Sequence, residues 1–139
     1  MKFRYKASCR KGNLRHIRDF VSTSLSNWRM SEDDVYMLVT AIDEVCANLI
    51  IHGHECNNNQ IFEVKISKQE EDTIRVDIVD SKCIFDINKY KMPDLNELIK
   101  KRSKGGMGLM LVKRLIDKIE LESDDYGSRC VLYKKLSLS

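Results

Sequence analysis

The sequence lacks an apolar run approaching the roughly 20 residues that a membrane-spanning helix needs. Residues 1–6 have no apolar stretch behind their charges, so we expect neither a signal peptide nor a membrane partner. The five cysteines are widely spaced and form no Cys-x-x-Cys pair. Their spacing argues against a disulfide scaffold and favours reduced thiols in a cytoplasmic protein.

Excess charge of one sign is also small. The chain has 24 lysines and arginines against 21 aspartates and glutamates, a net charge of +3. Because this excess is scattered, it argues against direct nucleic-acid binding. With 42% hydrophobic residues, the 139-residue chain has enough apolar side chains for a core, and we expect residues 1–139 to form a single domain.

Apolar periodicity predicts an alternation of strands and helices. Helices are predicted over Asn13–Trp28, Glu32–His52, Asp94–Lys101 and Leu109–Asp117. Strands are predicted over 2–8, Ile61–Ser67, Thr73–Val79, 118–123 and 129–136, with Gly127 between the last two. This order predicts an α+β fold, a two-layer α/β sandwich in which helices cover one face of a mixed, mostly antiparallel sheet.

The longest predicted helix carries the first candidate site. Ser31 is a good N-cap and Gly53 a good stop. Glu44, Asn48 and His52 follow one another at i, i+4 and i+8, on the border of the apolar arc. Two interpretations stay open for this row: a solvated flank of the helix, or a groove wall that holds a base and a metal ligand.

The second candidate is Asp80. Ile74, Val76 and Ile78 share one face of their strand, and Asp80 has the same parity. If the strand continues this far, the carboxylate points to the covered side of the sheet, where it needs a hydrogen-bond donor. The alternative is an ordinary aspartate in the turn after the strand.

The third candidate is a glycine-rich segment that precedes an apolar helix. Such a segment lets backbone N–H groups approach an anion, although it is also an ordinary loop, and no P-loop pattern occurs. The basic run 100–104 that precedes it is either a solvated segment or a segment that contacts the triphosphate of a nucleotide. The candidate residues are Lys104, Gly105, Gly106, Met107, Gly108 and Leu109.

In this order, the three elements resemble the nucleotide site of the GHKL (Bergerat-fold) ATPases. Glu44-x3-Asn48-x3-His52 resembles the N box, Asp80 opens a segment similar to the first glycine box, and 105–109 resembles the second glycine box. Within that superfamily, the sequences of residues 43–52 and of the ending 127–135 most resemble those of the anti-sigma-factor serine/threonine kinases. Lys82 departs from the pattern, because it stands where the family has glycine.

The resemblance implies a cytoplasmic kinase that binds ATP with Mg²⁺, sequesters a sigma factor and phosphorylates a serine on an antagonist protein. It implies that Glu44 is catalytic, that Asn48 ligates the metal, and that Asp80 accepts a hydrogen bond from the adenine. Residues 104–109 would bind the phosphates. Relatives in this family also suggest a homodimer.

Two alternatives to this function remain open. Lys82 supports a non-catalytic or weakly nucleotide-binding module that works by protein sequestration. The chain could also be the ATP-binding half of a histidine kinase. A zinc site at His52, His54 and Cys56 is disfavoured, because three ligands close in sequence do not fix a tetrahedron. Cys46 is predicted to lie in the core.

Overall fold

The computed structural model describes residues 2–8, 10, 12–52, 61–80, 112–124 and 127–137. Two helices and five strands lie in these ranges, together with one helical turn at 112–115. In chain order the elements are β1 (Lys2–Ser8), α1 (Asn13–Leu25), α2 (Glu32–His52), β2 (Ile61–Gln69), β3 (Thr73–Asp80), β4 (Lys118–Asp124) and β5 (Gly127–Lys135).

The strands form one sheet in the order β1-β2-β3-β5-β4. Every pairing among these five strands is antiparallel. β3 lies in the centre of the sheet, where Ile78 pairs with Val64 on one side and with Cys130 on the other. The α+β class predicted from the sequence is confirmed.

The core lies between the helices and one face of the sheet. Alternate strand residues point into it, because successive side chains of a strand face opposite sides. The sheet contributes Phe62, Val64, Ile66, Ile74, Val76 and Ile78, and α2 contributes Leu38, Ile42, Val45, Cys46 and Leu49. Cys46 is therefore a core residue, and burial raises its pKa and raises that of Cys130 to about 12. Both thiols are thus protonated and unreactive at neutral pH.

The opposite face of the sheet is polar and ion-paired. Arg75 bonds to Asp77 through Nε at 2.8 Å, and Lys118 Nζ lies 2.9 Å from Glu120. The Tyr133 ring lies between the two cations, 5.7 Å from the Arg75 guanidinium and 5.5 Å from the Lys118 ammonium. This face carries cations and carboxylates in alternation.

Several predicted boundaries were wrong by one to three residues. α1 ends at Leu25 instead of Trp28, because polar side chains beyond it take up its last carbonyls: Ser26 Oγ donates to Thr23 O at 2.6 Å. β2 and β3 each run further than predicted, to Gln69 and Asp80. Their connection closes with Glu70 in the left-handed region at φ 58°.

At the end of the chain, β4 and β5 also differ slightly from the prediction. β4 extends to Asp124, and Gly127 is the first residue of β5, where it pairs with Asp124. Of the predicted helix Leu109–Asp117, the described residues 112–115 are helical. The helix does not include Asp117, because the backbone N–H of Asp117 donates to Tyr133 O of β5 at 3.0 Å. The predicted helix Asp94–Lys101 and the predicted loop 53–60 lie outside the described residues.

Neither α1 nor α2, nor the turn at 112–115, is both long and apolar enough to cross a membrane.

The start of α2 is tied to the end of β5 across most of the sequence. Ser31 Oγ accepts from Asp34 N at 3.1 Å and so caps the helix, as its position predicts. The Asp34 carboxylate is 2% exposed and accepts from Ser137 twice, from N at 2.8 Å and from Oγ at 3.2 Å. Asp34 therefore holds the segment after β5 against α2.

Replacing Asp34 by alanine is expected to lower the free energy of unfolding by about 1–3 kcal/mol, because the Ser137 donors lose a buried acceptor. Urea denaturation followed by circular dichroism measures the change. Asp33→Ala is the matched control, since Asp33 is exposed in the same first turn of α2 and shares only the helix-dipole contribution. Equal losses in the two variants would mean that the Ser137 contact contributes nothing.

Candidate functional site

α2 presents two different flanks, and the candidate residues lie on the one away from α1. α1 packs on the other flank, where Arg18 Nη1 lies 2.9 Å from Asp43 Oδ1. Because successive helical residues are turned by about 100°, Glu44 points away from that contact. Asn48 follows one turn later and is only 5% exposed.

The Asn48 side chain has a fixed orientation. Its Nδ2 donates to the backbone carbonyl of Glu44 at 2.8 Å, within the helix itself. One N–H of the amide is thereby bonded, and Oδ1 is the atom of the amide that is suited to accept a hydrogen bond or to bind a cation. An amide oxygen is a hard ligand of the kind that Mg²⁺ prefers.

Glu44 is a half-buried carboxyl group on the same flank. Burial raises its pKa above the ordinary value, and the neighbouring charge of Asp43 raises it further. A carboxylate with a raised pKa is a stronger base near neutral pH, so this environment suits a group that takes up a proton.

Asp80 lies at the end of β3. The strand does continue as far as this residue, and the side chain is 1% exposed, in the same alternation as Ile74, Val76 and Ile78. Asp80 pairs with Phe62 on one side and with Ser128 on the other. The carboxyl group is therefore held on the face of the sheet that α2 covers.

Asn48 and Asp80 are both buried, on α2 and on the α2-covered face of the sheet, and Glu44 lies half-buried one turn before Asn48. Asn48 adjoins the core residue Leu49, and Asp80 follows the core residue Ile78 two positions later. The remaining candidates, Lys104 to Leu109, lie outside the described residues, as do Lys82, His54 and Cys56 and the side chain of His52. Among the side chains that the structure describes, no group of three or more histidine, cysteine or carboxylate residues could hold a metal.

One contact on the other flank of α2, next to Glu44 in sequence, was missed by the sequence analysis. Arg18 binds Asp43, the residue before Glu44, across a separation of 25 positions. No periodicity links an exposed arginine of one helix to a half-buried aspartate of another, so only the packing of α1 on α2 reveals the pair.

Comparison with known proteins identifies the family. The family model of the histidine kinase-like ATPase domain matches residues 7–134. The anti-sigma F factor of Clostridium perfringens is 23% identical over 137 residues, which cover 98% of this chain and 97% of that protein. The serine-protein kinase RsbW of Bacillus licheniformis is 30% identical over 114 residues, covering 78% of this chain and 70% of that protein.

A solved structure shares the fold. It contains the RsbU and RsbW domains of Rv1364c from Mycobacterium tuberculosis, and it superposes with a TM-score of 0.73 at 15% identity. The match covers 100% of this chain and 33% of that longer one. The resemblance found in the sequence is confirmed: the chain belongs to the histidine kinase-like ATPase domain family, in which it is similar to anti-sigma factors and serine-protein kinases.

Proposed function

We propose that this protein is an ATP-dependent serine/threonine kinase that acts as an anti-sigma factor in the cytoplasm. The observation that carries the proposal is the row on α2, in which a half-buried Glu44 with a raised pKa stands one turn before a buried, oriented Asn48. The names of the relatives agree with this proposal, since they include both an anti-sigma factor and a serine-protein kinase.

Each residue has a distinct part in the proposed reaction. Asp80 accepts a hydrogen bond from the adenine amino group and so selects the base. Asn48 Oδ1 ligates Mg²⁺, which, when bound, neutralises phosphate charge. Gly105, Gly106 and Gly108, with Lys104, Met107 and Leu109, bind the phosphates through backbone N–H groups.

Glu44 completes the proposed mechanism at the acceptor. It accepts the proton of the substrate serine hydroxyl, the serine oxygen bonds to the γ-phosphorus, and ADP leaves with the electron pair of the broken bond. Positioning and charge neutralisation supply most of the acceleration in phosphoryl transfer, so Glu44 serves first to orient the hydroxyl. The proposed protein partners are a sigma factor and its antagonist, and a homodimer stays a prediction.

The proposal is tested by calorimetric titration with ATP and ADP, with and without Mg²⁺. We expect both nucleotides to bind and ATP to bind more tightly with Mg²⁺. Asn48→Ala is expected to lose the Mg²⁺-dependent part of the affinity and to keep the metal-free part, because it removes the proposed metal ligand Oδ1, while the Nδ2 bond that is lost with it goes to the backbone of the same helix. Asn27→Ala is the control, since Asn27 caps α1 by donating to Ser24 O at 3.1 Å.

Absence of binding at millimolar nucleotide would overturn the kinase proposal and favour the non-catalytic module that Lys82 suggests. Transfer of labelled γ-phosphate to candidate antagonists then separates the remaining functions. Phosphoserine supports the proposal, whereas phosphohistidine indicates the ATP-binding half of a histidine kinase.

A further inference from the structure

Three hydrogen bonds attach the segment after β5 to the rest of the molecule. Leu136 N donates to Asp72 O at 2.6 Å, and Ser137 donates twice to Asp34, from N at 2.8 Å and from Oγ at 3.2 Å. Leu136 belongs to the core, whereas Ser137 is exposed. Ser137 therefore lies at the surface with its hydroxyl group against a buried carboxylate.

The hydroxyl group of Ser137 has an unusual partner. Ser26 Oγ donates to a backbone carbonyl, and the hydroxyl oxygens of Ser8 and Ser31 accept from N–H groups. Among the described residues, Ser137 has the only serine hydroxyl bonded to a carboxylate, that of Asp34. A negative group placed on this hydroxyl oxygen would stand directly against a buried negative charge.

The start of α2 is a poor place for a second anion. Asp34 N already donates to Ser31 Oγ at 3.1 Å, so this N–H group of the first turn is bonded. Glu32 and Asp33 lie in the same turn and add two further carboxylates. A phosphate group on Ser137 would meet like charges there, and like charges at this range repel.

The residues before Ser137 are basic. Lys134 Nζ lies 3.9 Å from Asp117 and its side chain is 13% exposed, whereas Lys135 is exposed and has no ion pair among the described residues. β5 ends at Lys135, so Ser137 follows the sheet and lies outside regular secondary structure. An exposed serine preceded by a free cation suits an enzyme whose substrate groove is acidic.

We propose that Ser137 is a phosphorylation site, and that its phosphate releases the segment after β5 from α2. Ser137 Oγ bonds to the γ-phosphorus of ATP held by the modifying kinase, and the hydroxyl proton passes to the base of that kinase. The bond from this phosphorus to the bridging oxygen breaks, and ADP leaves with its electron pair. The proposal does not depend on nucleotide binding by this chain.

The phosphate acts by blocking the attached position of the segment. The group carries about −1.5 to −2 charge at neutral pH, and in the attached position it would occupy the space between Ser137 Oγ and Asp34. Repulsion therefore favours the detached position, in which Asp34 and the phosphate are both hydrated. The Ser137 N–H group then loses its acceptor, and this loss is the measurable sign of release.

The test introduces phosphoserine at position 137 during translation of the full chain and measures amide hydrogen exchange. We expect the protection factor of the Ser137 N–H group to fall by about tenfold or more, while that of Val76 in the central strand stays within about twofold. Phosphoserine at position 22 is the matched control, because Ser22 is exposed on α1. It should leave the protection of Ser137 N–H unchanged.

Asp34→Asn separates charge repulsion from the size of the phosphate. Asparagine has the shape of aspartate, accepts from Ser137 N through Oδ1 and donates through Nδ2. In this background, we expect phosphoserine at position 137 to lower the protection factor by less than about threefold. Equal losses in the two backgrounds, or native protection in the phosphorylated native sequence, overturn the proposal.

Mass spectrometry of the protein from its native cells tests whether the modification occurs. The protein is isolated with phosphatase inhibitors from growing and from stationary cells, and its peptides are mapped. We expect phosphate on Ser137 in at least one of the two conditions. A chain that carries no phosphate at this residue in either condition overturns the proposal, whatever other residues are modified.

Discussion

Replacing Glu44 by glutamine is expected to reduce phosphoryl transfer by about 10²–10⁴-fold, the usual cost of losing an acid–base group. Glutamine has the same shape but cannot take up the serine proton. Because Asn48 and Asp80 are unchanged, ATP affinity should stay within about threefold of the native value. Single-turnover transfer of labelled γ-phosphate and calorimetric titration measure the two quantities separately.

Glu32→Gln is the matched control, because Glu32 lies in the exposed first turn of the same helix. It should transfer phosphate at the native rate. If Glu44→Gln also retains transfer within a few-fold, the base lies elsewhere and Glu44 is a structural residue on the flank of α2.

Asp80→Asn is expected to weaken nucleotide binding by about fivefold to 150-fold. A carboxylate only accepts hydrogen bonds, whereas an amide presents a donor as well as an acceptor to the adenine amino group. A mismatched polar group in a buried site costs about 1–3 kcal/mol, which corresponds to this range. Titration with ATP and with ADP should show the same loss, since both contain the base.

Asp77→Asn serves as the control on the same strand. Asp77 is bonded to Arg75 on the opposite face of the sheet, so its substitution removes an ion pair and leaves the α2-covered face intact. Native affinity in Asp80→Asn, with folding verified by circular dichroism, would remove Asp80 from the nucleotide site.

The sequence predicted α2 correctly at both ends, from Glu32 to His52. The signals there are local: Ser31 caps the first turn, acidic residues follow it, and Gly53 comes directly after the last turn. The position of Asp80 was likewise predictable. Side chains alternate between the two faces of a strand, so Asp80 shares the buried face of Ile74, Val76 and Ile78 once the strand continues to residue 80. The end of α1 could not be predicted, because the apolar spacing continues to Trp28 although the helix ends before Ser26.

Contacts between distant residues could not be predicted from one sequence. The sequence predicts Asp34 to be an ordinary acidic residue in the first turn of a helix. In the structure it is buried and accepts hydrogen bonds from Ser137, 103 positions away. The same holds for Arg18 and Asp43. Local pattern specifies which face a residue occupies within its element, whereas the partner across the core depends on how the elements pack.

The central pairing of β3 with β5 has a consequence for protein engineering. β3 ends at Asp80, the chain comes back to the sheet as β4 at Lys118, and Ser128 of β5 then pairs with Asp80. The entropy of closing such an excursion grows only logarithmically, by about 0.6 kcal/mol for each doubling of its length. Residues 104–109 belong to this connection in sequence, and we expect a moderate change in its length to cost little stability as long as the core residues Val112 and Ile116 are kept.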